Sequence, residues 1–581
     1  MTDGAVVRVV ATAGHVDHGK STLVQALTGT DPDRWAEEKA RGLTIDLGFA
    51  SARLPSGATV AFVDVPGHTR FLKNMLAGVG AVQACVFVVA ATEGWKPQSE
   101  EHLRILDLLG VEHGLVALTK VGLVDDDTAE LAVLELAERV AGTFLADAEV
   151  VPVDAVHGTG LPALTAALDR LVRATPPAPD RGRPRLWVDR SFAPKGAGTV
   201  VTGTLGHGAL AVDDEVVVLP SRRPARIRRL QSLHVDVDRI GPGTRVAVNL
   251  SGIDHGDVGR GDALVTQDGW HTTTTVDALL TTLPTLGHPV SRRGAHLLHL
   301  GSGELPVRLR VLGDDAIEPG ATAPVRVHLP RPLPLVPGDR FVLRDAGRGE
   351  TVGGGEVLDV DPVRPASHAR PDRSIDRVVA ERGWVEVEHL ERLTGVHRAP
   401  DVGRWTVDPA ELARTREELR GAVAAAGPHG LDLAPMDERR RAVLDTLDDV
   451  VRDAGRARVA AEDHAEPFAD HPWLAAVEAE PFAPPPPDGV EPSDLQALTR
   501  AGLVVRTGSV WFAASAIETA AARVADLLAT RPEGVTVAEV REALGTSRKY
   551  VIPLLTHFDE TGRTRRRGDH RIAGPRLAVG R

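Results

Sequence analysis

The segment Gly14-His15-Val16-Asp17-His18-Gly19-Lys20-Ser21 constrains this chain most. Two glycines separated by four residues precede Lys and Ser, behind the apolar run 6–11. That pattern is a phosphate-binding loop, which joins a buried strand to a helix and commits the first domain to an α/β fold with a parallel sheet. Its glycines let backbone N–H groups of Gly14, Val16, Asp17, His18 and Gly19 close around the α- and β-phosphates of a nucleotide. Lys20 reaches the β/γ oxygens as a point charge, the Ser21 hydroxyl takes one Mg²⁺ position, and Thr22 completes the phosphate-binding set. Alone, the loop specifies a nucleotide and not which one.

Further motifs follow in order. Arg41-Gly42-Leu43-Thr44-Ile45-Asp46 precedes Asp64-Val65-Pro66-Gly67-His68, which stands behind the strand-like run 60–63. Thr119-Lys120 ends the apolar run 114–118, and Asp154-Ala155 ends 151–153. The series resembles the elongation-factor class of translational GTPases. The resemblance implies GTP and GDP as ligands and ribosome-stimulated hydrolysis to GDP and phosphate. It implies Mg²⁺ held by Ser21 and Thr44, with Asp64 acting through a water. Thr44 then lies in a segment that orders when the γ-phosphate is present, which makes it a switch. His68 takes the catalytic, water-orienting place that Gln fills in other GTPases. Gly67 lets the backbone bond a γ-phosphate oxygen without a side-chain clash.

The guanine-binding positions implied by the class are Thr119, Lys120, Asp154 and Ala155. One element departs from the pattern. The class reads its base with Asn/Thr-Lys-x-Asp, whose Asp accepts two hydrogen bonds from guanine; here the run is Thr119-Lys120-Val121-Gly122. Asp125, Asp126 and Asp127 come three or more residues too late for an unshifted fit. Hydrogen bonds to charged groups contribute about 1.5–3 kcal/mol each, so their loss weakens purine discrimination more than phosphate binding. Two readings stay open: relaxed base selectivity, with Lys120 and the Ala155 N–H still holding the base, or recruitment of Asp125.

A chain of 581 residues exceeds one core and divides into domains. Strand and helix patterns alternate to about residue 172, and the Pro-rich stretch 175–182 then acts as a stiff linker. From 186 to about 360, short alternating apolar runs punctuated by Gly, Pro and Asp predict two β-barrels that divide near 268–271. The expected domains are a GTP-binding domain at 1–175 and barrels at 183–269 and 270–362. The single Cys85 sits in a buried-strand pattern and excludes disulfides and Cys-based zinc sites, which suits the cytoplasm. No apolar run reaches the ~18 residues of a membrane span, and no signal peptide is recognisable. Lysine is scarce beside arginine, so Lys20 and Lys120 stand out as places that need a compact ammonium.

Within the first barrel, Val188-Asp189-Arg190-Ser191-Phe192 precedes Lys195-Gly196-Ala197-Gly198-Thr199, and Gly243-Thr244-Arg245-Val246 follows later. These segments closely resemble the second domain of the selenocysteine-specific elongation factor family, SelB. In that family the barrel holds the aminoacyl end of tRNA, and a small cationic pocket faces the amino acid. The matching positions are Asp189, Arg190 and Arg245. A selenol ionises near neutral pH and a serine hydroxyl does not, so arginines can read charge where shape is nearly the same. The second barrel carries Val336-Pro337-Gly338-Asp339-Arg340-Phe341, again like this group, and is expected to brace the tRNA.

Beyond a linker at 362–371 the sequence predicts repeated α+β units, divided as 372–432, 433–483, 488–514 and 515–581. The last shows helices at 515–529, 537–544 and from about 548 to 560, then a hairpin at 562–572, which is a winged helix. Thr546-Ser547 is placed to cap the third helix, and Pro553 inside it predicts a kink. The formal charge of −13 gives no general attraction for nucleic acid, so any must be local. Arg548 and Lys549 open the third helix, and Arg563, Arg565, Arg566, Arg567, His570 and Arg571 decorate the wing, a cradle for RNA phosphates. Ser547-Arg548-Lys549-Tyr550 and Thr564-Arg565-Arg566-Arg567-Gly568-Asp569-His570 resemble the last SelB module, which in that family binds the mRNA hairpin marking UGA for selenocysteine.

The resemblance implies a monomeric elongation factor that brings selenocysteinyl-tRNA to the ribosome at recoded UGA codons while holding the message. Two alternatives stand beside it. One is a general elongation or initiation factor with an unrelated appendage. The other is a non-hydrolysing winged-helix regulator, for which Gly122 is the best argument.

Overall fold

β1 (Val7–Ala13) is apolar or small at every position but Arg8 and is buried from Val9 onward, and it forms the centre of a six-stranded sheet. The computed structural model describes residues 6–32, 44, 46–66, 74–75, 82–460, 468 and 471–577. Contacts divide the chain into two compact units, Met1–Pro409 and Ala410–Arg581.

In the first unit, β1 is followed by α1 (Lys20–Thr28), β2 (Gly48–Arg53), β3 (Thr59–Asp64), β4 (Ala84–Ala90) and α2 (Pro97–Leu108). β5 (His113–Thr119), α3 (Asp126–Val140), β6 (Val150–Pro152) and α4 (Leu161–Ala174) complete the domain. The strand order is β2-β3-β1-β4-β5-β6, parallel except for β2 against β3. Each face of the sheet carries its own apolar cluster, one around Phe87 and Leu106 and one around Phe62 and Leu168. The loops after β1, β5 and β6 all leave the carboxyl ends of their strands, where open α/β sheets bind ligands. Cys85 is fully buried in β4, and that burial pushes its thiol up.

Six strands close the first barrel in the order Glu215–Leu219, Ala263–Thr266, Arg185–Trp187, Thr199–Gly206, Thr244–Ser251 and Arg223–Ser232. The second barrel is also closed, and its strand Gly303–Val311 alternates strictly between buried and exposed positions. Arg185 of the first barrel makes a bidentate pair with Asp339 of the second, at 2.7 and 2.6 Å. The second barrel's core runs on into Val378, Val385 and Leu390, so the first C-terminal module packs against it. The stretch expected to be a linker at 362–371 is bridged, because Arg377 reaches Asp359 at 2.9 Å.

The second unit ends in a winged helix: helices Ala514–Thr530, Val537–Leu544 and Arg548–Glu560, and a sheet of Val535–Thr536, His570–Ala573 and Thr564–Arg567. The third helix continues through Pro553. Ser547 sits at its N-cap without a capping hydrogen bond, and Thr546 Oγ1 donates instead to the Phe482 carbonyl. Two expected divisions cut through structure. Leu431–Asp432 pairs with Arg456–Val459, so one sheet spans the break placed after 432. Trp473, Leu474, Leu498 and Val504 share one cluster, and Trp473 Nε1 donates to the Pro486 carbonyl at 3.1 Å, so 484–487 is packed and does not separate modules. No described helix is long and apolar enough to cross a membrane.

Candidate functional site

Gly14 has φ 131, and a Cβ there would lie 2.1 Å from the Val88 carbonyl oxygen, so only glycine lets the loop pass over β4. Lys20, at the first position of α1, folds back and donates to the Gly14 and His15 carbonyls at 3.1 and 2.7 Å. Two amides expected to face phosphate are otherwise engaged. Gly14 N–H donates to His102 Nδ1 at 3.1 Å and Val16 N–H to Gln98 Oε1 at 3.1 Å, both acceptors lying on α2. His102 is buried, which drives its pKa down to about 3 and keeps the ring neutral, as an acceptor nitrogen requires. His18 is also buried, its ring within 3.3 Å of the Val88 carbonyl and its pKa lowered to about 4 by desolvation. Its side chain is thus core, while Asp17 and Thr22 are exposed.

Three oxygens converge beside the loop. Ser21 Oγ lies 2.8 Å from Thr44 Oγ1 and donates to Asp64 Oδ2 at 2.7 Å, while Thr12 Oγ1 donates to Asp64 Oδ1 at 2.6 Å. Neighbouring ligands in an octahedral Mg²⁺ shell with ~2.1 Å bonds stand roughly 3 Å apart, and the two hydroxyls meet that spacing. The residues therefore fit the ion. Gly67 and His68 lie outside the described residues.

At the base loop, Thr119 Oγ1 donates to the His18 carbonyl at 2.7 Å, so it ties the base loop to the phosphate loop. Lys120 takes a left-handed backbone, φ 58, and its ammonium pairs with Glu93 at 3.3 Å. Asp125 is engaged elsewhere: its Oδ1 accepts the Thr128 N–H at 2.9 Å as the N-cap of α3. Asp154 and Ala155 follow β6 after Val153, and Asp154 is buried.

The positions Asp189, Arg190 and Arg245 meet at the face between the sheet and the first barrel. Arg245 forms a two-pronged pair with Asp189, one contact at 3.1 Å, and Thr202 Oγ1 donates to the same carboxylate at 2.6 Å. Burial would push the Asp189 carboxyl up, but the charge and hydrogen bonds of Arg245 hold it below its ordinary value. Arg190 Nη2 donates to the Leu47 carbonyl at 2.6 Å and lies 2.9 Å from Asp46 Oδ2. Both guanidiniums stack on Phe49, with Arg245 at 3.5 Å and Arg190 at 5.1 Å from the ring centre. A cavity of ≈ 230 Å³ opens there, lined by Phe49, Arg190, Phe192, His234 and Arg245. Sequence reasoning missed Asp46 and Phe49. Phe49 sits in a strand and reads as core; the Asp46 charge two residues after Thr44 was the available signal.

On the terminal winged helix, Arg548, Lys549, Arg565, Arg566, Arg567 and His570 are exposed. Arg571 differs: it is buried and pairs with Asp559 at 3.0 Å, so it braces the wing from inside. Arg563 is half-turned inward and reaches Glu518 at 2.5 Å.

Three families match along the chain. Elongation factor Tu GTP binding domain covers residues 5–174; Selenocysteine-specific elongation factor, beta-barrel domain covers 280–364; and Elongation factor SelB, winged helix covers 526–573. The selenocysteine-specific elongation factor of Escherichia coli (strain K12) is 31% identical over 623 residues, 97% of this chain and 98% of that protein. That of Desulfomicrobium baculatum is 40% identical over 377 residues, and the match spans 64% of this chain and 59% of that relative's length. A crystal structure of a bacterial selenocysteine-specific elongation factor, EF-Sec, shares the fold at TM-score 0.67 and 27% identity, over 97% of this chain and 99% of that one. The end-to-end match sets aside an unrelated appendage, and the chain belongs to the selenocysteine-specific elongation factor family of translational GTPases.

Proposed function

We propose that this GTPase carries selenocysteinyl-tRNA to the ribosome at recoded UGA codons and holds the message through its terminal winged helix, in the cytoplasm. The observation that carries the reading is the pair of arginines stacked on Phe49 at the cavity between the GTP-binding domain and the first barrel. Each arginine has a carboxylate partner, Asp189 for Arg245 and Asp46 for Arg190. A neutral seryl side chain gains little by displacing a carboxylate, whereas an anionic selenolate replaces one charge-assisted bond with another. Arg190 Nε is buried without a hydrogen-bond partner, a donor that an anion in the cavity would satisfy.

For hydrolysis, Lys20 and the loop amides other than those of Gly14 and Val16 would neutralise phosphate charge, and Ser21, Thr44 and Asp64 would hold Mg²⁺. When bound, the ion supplies charge stabilisation across the β- and γ-phosphates. His68 is assigned to orient the attacking water. Lys120 and the Ala155 N–H are assigned to hold the base. Arg548, Lys549, Arg565, Arg566 and Arg567 offer an exposed cationic surface for a hairpin's phosphates. Because one chain carries both binding activities, holding the message raises the local concentration of the cargo.

The test is binding of selenocysteinyl-, seryl- and cysteinyl-tRNA to the full chain with GTP or GDP. Strong preference for selenocysteinyl-tRNA, seen with GTP and lost in Arg190→Ala, is the expected result. Equal binding of all three, or equal binding in GTP and GDP, would overturn the reading.

A further inference from the structure

Glycine at 122 leaves a space that another residue fills. A Cβ built on Gly122 would lie 2.3 Å from Asp154 Oδ2 and 3.3 Å from Asp154 Cγ. The carboxylate absent from the sequence at 122 is therefore present in space, delivered by the loop after β6. That loop is closed tightly on itself: Asp154 N–H donates to the Thr159 carbonyl, and Gly158 N–H to the Asp154 carbonyl, both at 2.8 Å. The side chain is oriented as firmly. Oδ1 accepts the N–H groups of Val156 and His157 at 3.0 and 3.2 Å, while Oδ2 accepts His157 Nδ1 at 2.8 Å.

An ionised carboxylate has about four acceptor sites, two on each oxygen. Oδ1 is thus filled. Oδ2 keeps one site open and shares the other with an imidazole whose side chain is 70% exposed and free to swing away. The His157 ring and backbone hydrogen bonds also hold the Asp154 carboxyl below its ordinary value, so it is an anion at neutral pH. No other group of the motif supplies a free carboxylate: Thr119 spans to the phosphate loop, Lys120 is an ammonium paired with Glu93, and Asp125 caps α3.

We propose that Asp154 is the base-reading carboxylate of this protein, accepting the N–H edge of guanine at Oδ2, and that glycine stands at 122 to leave room for it. The assignment rests on the GTP-binding reading. It deepens that reading by naming the residue that sets purine specificity. Guanine presents N1–H and a 2-amino group to such an acceptor. Adenine presents a bare N1 lone pair and is repelled, hypoxanthine keeps N1–H alone, and xanthine replaces the amine with a carbonyl.

The experiment is calorimetric titration of the full chain with GDP, IDP, XDP and ADP in the presence of Mg²⁺. In Asp154→Asn the two backbone N–H groups keep the amide oxygen at the Oδ1 place, so the NH₂ falls where Oδ2 accepted. A donor there opposes guanine and suits the xanthine carbonyl. GDP affinity should fall ~10-fold or more, as expected for loss of one charged hydrogen bond, and XDP affinity should rise. Gly122→Ala, whose Cβ displaces the carboxylate, should also lower the preference for GDP over IDP and ADP. Gly122→Asp combined with Asp154→Ser returns the carboxylate to 122 with room to stand and should restore it. An unchanged GDP-to-XDP ratio in Asp154→Asn overturns the assignment, as does an equal loss for all four nucleotides. If the wild-type chain binds none of the four, the GTP-binding reading itself fails and the assignment goes with it.

Discussion

Asp46 touches the arginine pair proposed to read the aminoacyl group, while its near neighbour touches Ser21 of the phosphate loop. Its carboxylate lies 2.9 Å from Arg190, and Thr44, two residues earlier, lies 2.8 Å from Ser21. On the proposed reading, a segment that takes one arrangement with the γ-phosphate and another without it would set how firmly Arg190 is held. Asp46→Asn keeps the size and removes the charge. The ratio of selenocysteinyl-tRNA affinities in GTP and GDP should shrink about tenfold, ~1.4 kcal/mol of coupling, measured by protection of the aminoacyl ester from hydrolysis. An unchanged ratio would show that this contact transmits nothing. The sequence showed Arg190 and Arg245 because they stand in a recognisable barrel motif. It did not show Asp46 or Phe49, since a pair 144 residues apart in the chain has no local pattern. The sequence placed Asp154 among the guanine-binding positions, but the role proposed for it depends on its distance from Gly122, which no local pattern carries.

Elements were legible where local chemistry fixes their ends. In the terminal winged helix, Thr536 and Glu539 form a reciprocal capping box at Val537–Leu544, with bonds of 2.7 and 3.4 Å, and that helix starts and stops where the sequence places it. Division of the middle modules failed for a physical reason. A two-residue strand, Leu431–Asp432, carries no period, and the cluster around Trp473 crosses a proline run that reads as a break. The wing separates two kinds of arginine. Changing Arg565, Arg566 and Arg567 together to Ser should weaken hairpin RNA binding and flatten its logarithmic salt dependence by about 0.7–0.9 for each phosphate no longer neutralised. Arg571→Ala should act otherwise. It takes the charged partner from Asp559 Oδ2, leaving the carboxylate only the Thr564 hydroxyl, and lowers winged-helix stability by about 1–3 kcal/mol, with the salt dependence intact in the folded fraction. Equal salt slopes in the triple variant and the wild type would remove the wing from the RNA surface.

For the whole molecule, the two compact units differ in how they should answer acid. His18, with pKa about 4, and His102, His207 and His299, each about 3, all lie in the Met1–Pro409 unit, held neutral chiefly by burial. An unfolded histidine titrates near 6.5, so below that pH the unfolded chain binds protons that the folded unit refuses. Stability therefore falls as pH drops through 6.5 and goes on falling toward the folded values, by about 2 kcal/mol per histidine between pH 7 and 5. The depressed carboxyls of Asp189 and Asp339 add a loss of the same sign at lower pH. Among the described residues of the Ala410–Arg581 unit, no histidine is lowered to a comparable degree; His557 is shifted and only partly buried. Scanning calorimetry at pH 7, 6 and 5 should show one transition moving steeply downward. GDP should identify it as the first unit by raising it, since ligand stabilises the unit that binds it. His102→Gln retains an acceptor for the Gly14 N–H without a titrating ring, so its pH slope should fall by one proton. If both transitions move in parallel, or if the slope in His102→Gln is that of the wild type, buried neutral histidine is not the source of acid sensitivity.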